Sequence, residues 1–116
     1  MNEADRIRLL HMRDAAREAL SFARGRTVDD LTSDRLLLLG LVKEIEIVGE
    51  AASQVTAPVR EAAPEIPWPQ IIGMRHRLIH AYADVNVNIV WSTIVSDLPE
   101  LLIKLDTLLG PDDNLY

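Results

Sequence analysis

Apolar residues recur at steps of three and four through most of this chain and nowhere alternate with polar ones, so the pattern predicts helices and no strands. The first stripe is Leu9, Met12, Ala16, Ala19, Leu20 and Ala23. It places a helix over about Glu3 to Arg24, with Asn2 as its N-cap, acids Glu3 and Asp5 in the first turn and Gly25 just past the end. Arg6, Arg13 and Arg17 fall on its polar side. A solvated edge laced by Asp14 and Glu18 is the simple expectation there, and a phosphate- or partner-facing edge the sharper one. Residues 26–32, with Asp29 and Asp30, read as a loop. Thr32 or Ser33 then caps a second helix reaching about Val55, striped by Leu38, Leu41, Val42, Ile45, Val48, Ala52 and Val55. Leu36, Leu37 and Ile47 lie outside that arc. A helix apolar on a second face must bury it, and a dimer mate is the economical cover.

Pro58, Pro64, Pro67 and Pro69 forbid a long helix between residues 58 and 67 and allow a single turn from Pro58 to Ala63. A third long helix follows over Trp68 to Ala83. The chain breaks at Asp84-Val85-Asn86, and Asn86 caps a last helix striped by Val90, Ile94, Leu98, Leu101, Leu105 and Leu108. Pro99 inside it is expected to kink it. Gly110-Pro111 ends it, with 110–116 expected as a frayed tail. Short connections favour antiparallel neighbours. The expected fold is all-α, one domain over 1–116, an up-and-down bundle of four main helices with one short helical turn.

Composition narrows the function classes. The chain has 116 residues and no cysteine, so disulfides and thiolate metal sites are excluded. The N-terminus is charged from the start, without the apolar segment of a signal peptide, and the longest apolar run, Leu36 to Val42, is too short to span a bilayer. A soluble cytoplasmic protein with no membrane partner is expected. The net charge of -6 speaks against a wide electrostatic grip on a duplex. Yet residues 1–26 carry six arginines against four acids, so the acidic body holds a small basic focus.

The chemistry concentrates in Gly73-Met74-Arg75-His76-Arg77-Leu78-Ile79-His80-Ala81-Tyr82. On the third long helix, Arg75 falls on the apolar stripe of Trp68, Ile71, Ile72, Leu78, Ile79 and Tyr82. A guanidinium there must find a partner or line a cleft. His76 and His80 share a face, while His80 lies about 140° around from Arg75. Glu46 and Glu50, four apart on the second helix, form either a solvated acidic edge or a partner for Arg75 and Arg77. Four uses of the motif are open at this point. Arg75 and His80 could be incidental. His76 and His80 have the spacing of a helical zinc pair, but no Glu follows His76, His11 is the only further histidine, and Arg77 would repel a cation. The basic and aromatic residues are few for a nucleic-acid platform. Last, Arg and His could cleave a phosphodiester without metal or other cofactor. Histidine would move protons at the ribose 2′-hydroxyl and the leaving oxygen, and arginine would hold the phosphate.

The run Arg75-x4-His80-x-Tyr82 resembles the RX4HXY motif of the HEPN superfamily, in particular its HepT-like toxins. Val48-Gly49-Glu50-Ala51-Ala52 is similar to that family's GEA segment. Ile66-Pro67-Trp68 with Ile71 to Arg75, and Val90-Trp91 with Asp97-Leu98-Pro99, resemble its motif helix and last helix, so the likeness covers most of residues 35–105. The resemblance implies a HEPN-like helical ribonuclease whose two copies form one composite cleft. Arg75 and His80 would be its catalytic pair, and RNA its substrate. It also implies a minimal nucleotidyltransferase antitoxin that adds AMP to Tyr82. The family usually has a polar residue, often Asn, directly after the motif arginine. Here His76 stands in that place, either as a second proton donor or in the same polar role. A helical dimer that only holds a transferase partner, without catalysis, is the alternative.

Overall fold

The computed structural model describes residues 1–79 and 85–110, with the side chains of Arg77 and Ile79 excepted. His80 and Tyr82 therefore lie outside the described residues, as do 111–116 of the expected tail. Within them the chain is all-α: α1 (Glu3–Ala23), α2 (Val28–Ser33), α3 (Arg35–Gln54), α4 (Ala57–Ala62), α5 (Trp68–Ile79), α6 (Val87–Ser92) and α7 (Leu98–Leu109), with a π turn over Thr93–Asp97 joining the last two. No helix among the described residues is long and apolar enough to cross a membrane.

The core forms where the stripes predict it. Leu9, Met12, Ala16 and Ala19 of α1 are fully buried, as are Leu41, Ile45, Val48 and Ala52 of α3 and Val90, Ile94, Leu98 and Leu105 beyond Asn86. α3 lies between α1 and α5, and α1 also packs on α7. Both ends of the α1–α3 pair are tied. At one, Asp5 accepts hydrogen bonds from the backbone N–H (2.8 Å) and hydroxyl (2.7 Å) of Thr56. These bonds hold the Asp5 carboxyl below its ordinary range. At the other, the Phe22 ring stands 3.7 Å from where a Gly40 Cβ would be. The start of α1 thus meets the end of α3, and the two run antiparallel.

Four sequence expectations change. The stretch 26–32 is not all loop, because Thr27 and Asp30 form a reciprocal capping box that starts α2. Asp34, rather than Thr32 or Ser33, caps α3 by accepting from Leu37 N at 3.0 Å. Arg13 is not on a solvated edge: it is 3% exposed, and its Nη1 donates to Asp106 Oδ1 and Gly110 O, both at 3.3 Å. A cation at the carboxyl end of α7 also meets the favourable end of that helix's dipole. Where the sequence predicts a kink at Pro99, the structure shows a π turn and the start of a new helix. Pro99 sits in the first turn of α7, and the π turn before it absorbs the missing N–H and the crowding of the ring.

Candidate active site

Gly49 sets the approach of α5 to α3. A Cβ there would lie 3.3 Å from the Ile71 carbonyl oxygen, 3.6 Å from that of Ile72 and 3.8 Å from Arg75 Cβ. With no side chain at this position, the two backbones come close enough for the next residue to reach across. That residue is Glu50, whose Oε2 accepts a hydrogen bond from Arg75 Nη1 in an ion pair. Of the two expectations for Glu50, the pairing with Arg75 is the one found. The guanidinium is half-buried at the edge of the α5 stripe, whose buried members are Trp68, Ile71, Met74 and Leu78.

The pair opens onto a groove of about 570 Å³. Its walls are Arg8 and His11 of α1, Lys43, Glu46, Ile47, Glu50, Ala51 and Gln54 of α3, and Arg75 of α5. Arg8, His11 and Lys43 were not singled out by the sequence as site residues. Their signal is weak: each lies on the polar edge of its own helix, and only the pairing of α1 with α3 turns those edges into one wall. His76 is exposed one residue after Arg75. The structure thus brings Arg75 to Glu50 and to a basic groove, while the expected partners His80 and Tyr82 lie outside the described residues. Among the described residues no group of three or more His, Asp or Glu side chains is placed to hold a metal ion.

A second recess of about 230 Å³ adjoins the groove through His11 and Ile47, and Asp14, Glu18 and Glu44 also line it. Glu44 is 5% exposed and has one oxygen without a hydrogen-bond partner among the described residues. Burial pushes its carboxyl up to about 7, and the charge of Glu18 and a hydrogen bond with it act in the same direction.

A family model described as ribonuclease HepT-like matches residues 12–108. A protein of Caldanaerobacter subterraneus, named as a candidate RNase, is 40% identical over 67% of this chain and 70% of its own length. A protein of Thermococcus cleftensis named probable ribonuclease HepT is 34% identical over 75% of this chain and 79% of its own. A candidate RNase of Methanocaldococcus jannaschii is 27% identical over 84% of both chains. No solved structure matches the chain.

Proposed function

Because the chain belongs to the ribonuclease HepT-like family, and is by that membership an endoribonuclease, we propose that it cleaves RNA without a metal through Arg75 and His80. The cleft is completed by a second copy of the chain. It acts as the toxin of a type VII-like pair, in which a minimal nucleotidyltransferase silences it by adding AMP to Tyr82. The observation that carries this reading is the placement of Arg75: a guanidinium on an otherwise apolar stripe, oriented by Glu50 and facing an open groove.

The chemistry follows from the residue types. Histidine as a residue type exchanges protons near neutral pH, and His80 takes the proton of a ribose 2′-hydroxyl. The freed oxygen attacks the adjacent phosphorus, the bond to the 5′-oxygen breaks, and that oxygen takes up a proton. The products are a 2′,3′-cyclic phosphate and a 5′-hydroxyl. Arg75 neutralises the charge that builds on the phosphate oxygens as the bond order changes. His76, the residue after Arg75, would serve as the second proton donor or keep the polar role of that place. An AMP group on Tyr82 adds negative charge and bulk beside the motif and repels RNA.

Arg75→Ala and His80→Ala are each expected to abolish cleavage of total RNA, assayed with chelator present, while the helical circular dichroism stays unchanged. Full activity in the His80→Ala protein would overturn the catalytic assignment. Incubation with its cognate nucleotidyltransferase and ATP is expected to add the mass of AMP to a peptide containing Tyr82, and label at another residue, or none, would remove that part.

A further inference from the structure

Besides the Arg75–Glu50 pair, the groove is lined by three basic residues, Arg8, His11 and Lys43, and one acid, Glu46. We propose that the channel between α1 and α3 is a subsite for the RNA backbone flanking the cut, with Arg8, His11 and Lys43 as its phosphate contacts; this rests on the ribonuclease function proposed above. Arg8 and His11 are three apart on α1 and share a face, about 4.5 Å apart along the axis. Lys43, Glu46 and Glu50 line one face of α3 at steps of three and four. Because α1 and α3 run antiparallel, Arg8 lies toward Gln54 and His11 toward Lys43. Arg75 enters from α5 at Glu50.

Charge decides what this channel accepts. Glu50 is paired with Arg75, and Arg8 and Lys43 outnumber the remaining acid of the lining, Glu46. Among the described residues, by contrast, Arg8, His11 and Lys43 take part in none of the ion pairs, which draw on Arg13, Arg17, Arg26 and Arg75. In a chain of net charge -6, uncommitted basic side chains converging on one groove form a local attractor for a polyanion. At about 570 Å³ the groove is of a size that holds a small ligand. Among the described residues no Phe, Tyr or Trp lines it, so the groove offers charge more than a broad stacking surface. Recognition there reads backbone charge, not base identity.

The test compares wild type with an Arg8→Gln/Lys43→Gln double variant on two RNAs, a dinucleotide holding only the scissile phosphate and a longer oligonucleotide. Lys43 is exposed and Arg8 half-buried, and Arg24→Gln, an exposed charge removed away from the groove, is the control. For the double variant, KM on the oligonucleotide is expected to rise about tenfold with kcat within about twofold, and cleavage of the dinucleotide to stay unchanged. The slope of log affinity against log salt, measured with an uncleavable 2′-O-methyl oligonucleotide, should become shallower by about 1.4, since each phosphate contact on a single strand accounts for about 0.7. Wild-type KM and an unchanged slope in the double variant would overturn the subsite. So would an equal loss on both substrates, which would place the two residues at the cut itself. If wild type cleaved neither RNA, the ribonuclease function would fall, while the salt slopes on the uncleavable strand would still decide whether the groove binds a backbone.

Discussion

Glu44 keeps its proton in the folded protein up to about pH 7, whereas the free carboxyl ionises near 4.5. Between those values the unfolded chain has released a proton that the folded one retains. Stability is therefore fully present below the lower value and falls as pH rises through the higher one. Glu44→Gln removes the titration and keeps a neutral hydrogen-bonding group facing Glu18. It is expected to stabilise the protein by about 2 kcal/mol at pH 8, a figure discounted for the open recess, and by little at pH 4. Thermal melts of both proteins at the two pH values check this, and an equal gain at both would refute it. Glu50 is a different kind of acid. Its exposed pair with Arg75 is worth under about 1 kcal/mol to stability, so its use is in aiming the guanidinium. Arg75 was legible in the sequence because a charge on an apolar stripe needs an explanation. Glu50 was legible only as one of two options, since a polar edge does not reveal what faces it. Arg8, His11 and Lys43 were not legible for the same reason, doubled: two polar edges had to meet.

Between elements, the contact that positions the site is backbone against backbone at Gly49. Gly49→Ala would improve α3's helix propensity by up to about 1 kcal/mol. It would also force a methyl to within 3.3 Å of the Ile71 carbonyl, and that oxygen belongs to a packed helix that can yield only by moving as a unit. Overpacking of this kind costs about 1–3 kcal/mol, so a net loss of about 1 kcal/mol is expected. Cleavage should drop about tenfold or more, because the shift displaces Arg75 from Glu50. Melting curves and kcat from the same preparation separate the two effects, and a wild-type rate would show that the spacing of α3 and α5 does not matter to the site. The long helices were readable because each repeats its apolar step for several turns. The six-residue α2 was not: it buries only Leu31, too little to establish a period, and it is held by its capping box. The π turn escaped as well. A proline announces that the helix must adjust, but not whether it bends, breaks or widens.

For the whole molecule, the proposed shared cleft makes a prediction that no single chain can. Mixed and refolded together, Arg75→Ala and His80→Ala chains would form heterodimers holding one intact arginine and one intact histidine. Cleavage well above that of either variant alone is expected. Its complete absence, with heterodimers confirmed by mass, would argue that each copy works by itself. The apolar surplus on α3 bears on the same question. Leu36 is 82% exposed, and Phe22, Leu37 and Gly40 share a hollow with it, whereas Ile47 turns into the basic groove. The second apolar face expected from the sequence is therefore split between two places, which a helical wheel cannot distinguish. One further consequence concerns Trp68. Its indole N–H donates to the Ala63 carbonyl at 3.0 Å, and its ring is 6% exposed where α5 begins. Trp91, the chain's other tryptophan, is half-buried after Asn86. Replacing Trp91 with Phe would leave a single tryptophan fluorophore, at the root of α5. Its emission colour and quenching by iodide would then give an optical record of whether that helix lifts when an oligonucleotide arrives.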